Sequence, residues 1–226
     1  MSASVVSGCG ASPVLQPVEH ALDARDAPRF VWQQRLKTGK LDIGKPEVVV
    51  GQIEKIETRD SLPNDVASIE KLYRDAFPDE DLLPLVRELQ REGPSVVSLV
   101  GIAEKALVGH VVFTTCSIVG RSDKVALLGP LAVAPAWQRQ GIGSAIVRVG
   151  LRRLENADTS QVYVLGDPAY YRRFGFEPDD RVTPPYHLPE EWRGAWQSLT
   201  LCGDKPPLYG KLSVPEPWRK PALWAP

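Results

Sequence analysis

The apolar positions change period several times along the chain, and each change predicts a different element. Val48 to Glu57 is rich in β-branched residues and alternates late, with Ile53 and Ile56 among Glu and Lys, which predicts a strand. Asp60 to Asp65 reads as a turn with N-cap chemistry. Beyond it Val66, Ile69, Leu72, Tyr73 and Ala76 recur at spacings of three and four, an amphipathic helix that Pro78 ends. A second helical pattern runs from about Asp81 to Arg91 and stops at Gly93-Pro94. The pattern then becomes strand-like over Val96 to Ile102, Leu107 to Val119 and Val125 to Val133, with short polar or glycine-bearing turns between. From Gly141 it is helical again: Ile142, Ala145, Ile146, Val149 and Leu154 share one side, and Arg148, Arg152 and Arg153 lie mostly elsewhere. Gln161 to Leu165 predicts a short strand, and Ala169 to Arg173 a brief helix closing at Phe174-Gly175-Phe176. A Pro-rich tail follows, with strands near Ser198 to Cys202 and Leu208 to Val214.

Strand, two helices, three strands, helix, strand and helix in that order predict an α/β domain with a mixed sheet. Residues 1 to 47 show no clear period and are expected to form a flexible leader, with one short helix through Trp32 to Leu36 as an option. The expected organisation is that leader, a domain over 48–215 and a tail over 216–226. The chain has 226 residues, 43% of them hydrophobic, enough for one packed core. Its net charge of −1 provides no global field for nucleic acid or an anionic membrane. The three cysteines and three histidines are scattered without metal-ligand or redox spacing, so free thiols in a reducing compartment and no metal are expected. No apolar run approaches the ~18 residues that span a bilayer. Val6-Ser7-Gly8-Cys9 faintly resembles a lipoprotein cleavage site, but no Lys or Arg precedes Arg25 and no long apolar region follows. The expected location is therefore cytoplasmic.

Candidate chemistry concentrates in Leu128 to Ser144, a strand, a tight loop and a helix start. Gly141 and Gly143 carry no side chain to block a ligand, and both sit where a helix exposes unpaired N–H groups and its positive dipole end. That combination favours a phosphate. A dinucleotide site needs a third Gly or Ala near position 146, which is Ile146, and an acidic residue about 20 positions on, where Val162 and Tyr163 stand. A P-loop needs Gly-Lys-Ser/Thr, and this loop has no Lys.

Gln138, Gly141 and Gly143 do match the pattern Gln/Arg-x-x-Gly-x-Gly/Ala, and the stretch resembles the acetyl-CoA loop of the GNAT acetyltransferases. Leu131 to Pro135 resembles the fourth strand of that fold, and Val162 to Phe176 its fifth strand and fourth helix. The Tyr170-Tyr171-Arg172-Arg173-Phe174-Gly175-Phe176 ending is similar to the YhbS-like bacterial branch. The resemblance implies a GNAT acyl-CoA N-acyltransferase fold, a mixed, mostly antiparallel sheet with helices on both faces. It implies acetyl-CoA as co-substrate, bound by Leu131, Ala132, Val133, Gln138, Arg139, Gln140, Gly141, Ile142, Gly143 and Ser144. Backbone groups of Leu131 and Val133 would pair with the pantetheine arm, and N–H groups from Arg139 to Ser144 would hold the pyrophosphate. An N–H near Leu131 would face the thioester oxygen.

Tyr171, four residues before Gly175, takes the place of the family's general acid, with Tyr170 as its rival one residue away. No carboxylate lies within Val125 to Pro135; Asp167, which closes the fifth strand, ranks first as base, ahead of Asp123, Glu104 or a water chain. Many relatives carry an Asn seven residues before the tyrosine, where this chain has Val164. His110, inside an apolar strand, reads as a satisfied core histidine. The arginines at 148, 152, 153, 172 and 173 read as a solvated face, with the coenzyme's 3′-phosphate as their alternative. Trp192, Trp196, Trp218 and Trp224 read as anchors sealing an edge. The function implied is acetyl transfer to an amine of a small molecule or protein, by a monomer or homodimer with no membrane or nucleic-acid partner. A non-catalytic acyl-CoA-binding module and a tRNA-acetylating toxin are the alternatives.

Overall fold

The computed structural model describes residues 56–203 and 206–224. The expected leader, and residues 48–55 of the first predicted strand, lie outside them. The first described strand, β1 (Glu57–Asp60), carries on into what reads in the sequence as a turn, because its whole length pairs antiparallel with the next strand, Asp60 opposite Leu99. Helices α1 (Val66–Ala76) and α2 (Leu83–Leu89) follow, then strands β2 (Val96–Ala103), β3 (Ala106–Ile118) and β4 (Val125–Val133). Helix α3 (Ile142–Asn156) crosses back to β5 (Gln161–Leu165), which pairs parallel with β4, as a strand–helix–strand crossover requires.

After α4 (Pro168–Tyr171) come two-residue strands β6 (Glu177–Pro178) and β7 (Val182–Thr183), then β8 (Trp196–Thr200) and β9 (Gly210–Ser213). Among the described residues the sheet has nine strands in the path β1-β2-β3-β4-β5-β8-β6, with β9 joining β3 and β7. Every pairing is antiparallel except β4–β5 and β7–β9. All nine residues of β4 are buried, because both faces of the sheet are covered.

Ile146, Val147, Leu151 and Leu154 of α3 pack on one face against Phe113, Leu128 and Val164. Ile69, Leu72 and Tyr73 of α1 cover the other face over Val100 and Ala132. Leu85 and Leu89 of α2 share that second face with Trp196, Trp218 and Trp224, which pack over Leu127, Tyr163 and Leu165. These three tryptophans therefore fill a core rather than seal an edge, while Trp192 is only partly buried against it. Each indole N–H of the buried three is satisfied: Trp196 by the Val182 carbonyl (2.7 Å), Trp218 by Thr114 Oγ1 (3.0 Å) and Trp224 by the Trp218 carbonyl (2.9 Å). Residues 216–224 are thus part of the packed domain. No helix among the described residues is long and apolar enough to cross a membrane.

Candidate active site

Strand β4 pairs with β5 only from Val125 to Leu127, opposite Gln161 to Tyr163. Beyond that point β5 continues against β8, Val164 opposite Gln197 and Leu165 opposite Trp196, while β4 continues against β3 as far as Val133. A wedge opens between the two strands, and the backbone of β4 facing it has no strand partner among the described residues. The split coincides with a bulge: Val111 pairs with Leu131 and Phe113 with Leu128, so Gly129 and Pro130 both stand opposite Val112.

The loop leaving β4 makes a 3₁₀ turn at Pro135–Trp137, after which Gln138 donates from Nε2 to the Val133 carbonyl (3.1 Å) and Gln140 to the Ala136 carbonyl (2.8 Å). Arg139 (φ 62°) and Gly141 (φ 87°) are left-handed, a conformation that costs glycine nothing. Ala145 is the first residue of α3 to bond back, to the Gly141 carbonyl (2.9 Å), which leaves the N–H groups of Ile142, Gly143 and Ser144 at the positive end of a 15-residue helix. A Cβ on Gly143 would lie 2.5 Å from the Tyr170 hydroxyl, so α4 and the loop touch there.

Tyr170 and Tyr171 point to different places. The Tyr170 hydroxyl lies over Gly143, next to Ser144, and Arg173 stacks over its ring. Tyr171 is buried, its ring packed on Gly166 at the end of β5 and edge-on to Phe176. Burial raises its pKa, with Tyr170 and Asp167 adding to the effect. Burial, with Tyr171 adding to it, also raises the pKa of Tyr73 on α1. Asp167 caps α4, Oδ1 accepting the Ala169 N–H (2.8 Å). Asp123 bonds Arg121 at the far end of β4, and Glu104 is exposed in the β2–β3 turn. His110 is fully buried and satisfied, as its apolar surroundings imply.

An acetyltransferase (GNAT) domain family matches residues 97–178, which hold the wedge, the loop and both tyrosines. Over 168 residues the chain is 32% identical to the uncharacterized N-acetyltransferase YjhQ of Escherichia coli, spanning 71% of this chain and 92% of that one. The chain belongs to the GNAT acetyltransferases. The uncharacterized N-acetyltransferase YhbS of the same organism is also 32% identical, over 53% of this chain and 72% of its own length. The crystal structure of YhbS with CoA superposes with a TM-score of 0.67 at 26% identity, covering 74% of this chain and 93% of YhbS. A Brucella melitensis GNAT acetyltransferase solved with acetyl-CoA gives a TM-score of 0.58 at 28% identity, covering 72% and 97%.

This acetyltransferase also has two features that its sequence does not announce. Glu80, in the α1–α2 connection, has a buried Oε2 without a hydrogen-bond partner among the described residues. Burial, with Asp79 adding repulsion, raises its pKa to about 7. Its neighbours in that connection, Phe77 and Leu82, pack with Ala132 and Ala134, over the half of β4 that has left β5. A cavity of about 800 Å³ opens beside β8, lined by Asp180, Tyr186, His187, Arg193 and Trp196.

Proposed function

We propose that the protein transfers the acetyl group of acetyl-CoA to an amine by direct attack, with Tyr171 donating a proton to the departing thiolate. The observation that carries this reading is the wedge itself: a strand edge that, among the described residues, has no strand partner and ends at free N–H groups of a helix. An extended amide-bearing arm fits the first part and a pyrophosphate the second. The CoA and acetyl-CoA bound to the two solved relatives support the same assignment.

In this reading the backbone of Leu131 and Val133 pairs with the pantetheine arm. The Val133 carbonyl already accepts from Gln138 and keeps a second lone pair for that arm. Backbone N–H groups from Arg139 to Ser144 hold the pyrophosphate. The Leu131 N–H faces the thioester oxygen and stabilises the oxyanion as the amine nitrogen bonds to the carbonyl carbon.

An amine of pKa about 10.4 must first lose a proton. Glu80 and Asp167 are the carboxylates proposed to take it, Glu80 because it is poised near 7 and Asp167 because it closes β5. When the C–S bond breaks, Tyr171 protonates the sulfur. Its burial holds the phenol neutral; the same dry surroundings penalise the thiolate, which narrows the gap from a thiol of about 8.5 in water. Cys116 sits opposite Val125, away from the wedge, and burial pushes its thiol up to about 12, which favours direct attack over an acetyl-cysteine.

Thiol release across a panel of amines tests the reading. Tyr171→Phe should lower kcat by roughly 10²-fold or more with acetyl-CoA affinity unchanged, and Tyr170→Phe should change little. The reverse pattern would move the acid to Tyr170. Binding of acetyl-CoA without release to any amine would point instead to a non-catalytic acyl-CoA module.

A further inference from the structure

We propose that Tyr73, held by His110, is a positioning residue that aims the Leu131 N–H into the wedge. The inference rests on the reading above, in which that N–H receives the thioester oxygen. The Tyr73 hydroxyl, buried at the last turns of α1, donates to the Pro130 carbonyl (3.3 Å) and lies 3.0 Å from His110 Nδ1. His110 Nε2 lies 2.8 Å from Ser98 Oγ, which accepts from Ser61 Oγ at 2.7 Å.

The protons in this chain can be assigned one by one. Ser61 donates to Ser98, and Ser98 donates to His110 Nε2. The imidazole then carries its single proton on Nδ1 and donates it to Tyr73, whose own proton goes to Pro130. Every link points toward the carbonyl of the bulge. The assignment needs a neutral ring, and burial holds His110 neutral, its pKa lowered to about 3.

The Pro130 carbonyl and the Leu131 N–H are the two ends of one planar trans peptide and point in opposite directions. Ala134 donates to the Val108 carbonyl (2.9 Å), so by alternation along the same register the Leu131 N–H faces away from β3 and the Pro130 carbonyl, at the other end of its peptide, faces toward it. The N–H is therefore held toward β5, where β5 has turned away. A regular ladder would fix this peptide without help. In the bulge, Gly129 and Pro130 share one partner, Val112, and the phenol supplies the restraint that the ladder lacks.

The test needs no acceptor. Isotope-edited infrared spectroscopy of [1-13C]acetyl-CoA reads the hydrogen bond at the thioester carbonyl directly. In the wild-type protein the band should move to lower frequency on binding. Tyr73→Phe, which keeps the ring, should lose most of that shift while the acetyl-CoA Kd stays within about twofold, because the oxyanion donor acts on the polarised carbonyl more than on ground-state binding. Tyr163→Phe, which removes another buried phenol oxygen on the sheet, should keep the shift. If Tyr73→Phe does not fold, His110→Gln, which leaves the phenol but removes its imidazole support, should show a partial loss. Wild-type protein that binds with an unshifted band, or a folded variant, Tyr73→Phe or, in its place, His110→Gln, that keeps the full shift, overturns the positioning role and leaves the proposed reaction standing. Failure of the wild-type protein to bind acetyl-CoA overturns the reaction and the positioning role together.

Discussion

Gly141→Asp and Gly141→Asn form an isosteric pair that separates charge from backbone at the phosphate loop. Gly141 sits at φ 87°, and among the described residues a Cβ there would meet open space, so either side chain has room and both meet the same left-handed backbone. Asn and Asp accept that region better than other non-glycine residues, at a shared cost of about 1 kcal/mol. For a domain of this size that lowers Tm by roughly 2–4 °C. Only Asp adds a negative charge where the pyrophosphate is proposed to sit. At about 6 Å and an effective dielectric near 20, one pair of like charges repels by about 3 kcal/mol, roughly a hundredfold in Kd. The same carboxylate is favourable for the α3 dipole, so Asp should melt no lower than Asn while binding acetyl-CoA far more weakly. Calorimetric titration and melting of both variants read the two effects separately. Raising salt from about 0.1 M to 1 M shortens the screening length from roughly 10 to 3 Å, and the Asp-to-Asn ratio should shrink with it. Equal affinities for Asp and Asn at low salt would refute an anion site at this helix end.

Glu80→Gln should change how stability depends on pH. The folded pKa of about 7 lies above the ordinary 4.5, so the folded state binds the proton more tightly and wild-type stability falls as pH rises from about 4.5 to 7. The variant should therefore gain in Tm relative to wild type at pH 8 and gain little at pH 4.5; the same difference at both would show that Glu80 is not desolvated. In pH–rate profiles, Glu80→Gln should abolish the limb near 7 if Glu80 is the base; Asp167→Asn, which keeps the helix cap, should lower kcat at every pH if Asp167 takes the proton. Trp224→Ala, in the buried cluster with Trp196 and Trp218, should cost about 3–5 kcal/mol in chemical denaturation, and a loss below 1 kcal/mol would return residues 216–224 to the status of an appendage.

The elements that decide the fold were legible because their apolar periods are long. The 15 residues of α3 and the fully buried run of β4 read from sequence with almost the observed limits. The two-residue strands β6 and β7 are too short to show a period, and β1 runs past its expected end at Glu57 because its pairing with β2 continues through polar residues. The glycines of the loop announced themselves by chemistry and spacing. Tyr73 and His110 did not: each reads correctly as a core residue, yet they are 37 positions apart, and only the packing of α1 over β3 makes them one device. Glu80 looks like part of a solvated acidic turn, since its burial is tertiary. The tryptophans of the tail read as anchors, but the absence of a local pattern hid which surface they cover.

Calorimetric titration of the wild-type protein with acetyl-CoA, with NAD as the control, tests the central claim most directly. Saturable one-site binding of acetyl-CoA without binding of NAD is the predicted result. No binding of acetyl-CoA or of longer acyl-CoAs would contradict the account and leave the wedge and its helix end without their proposed ligand.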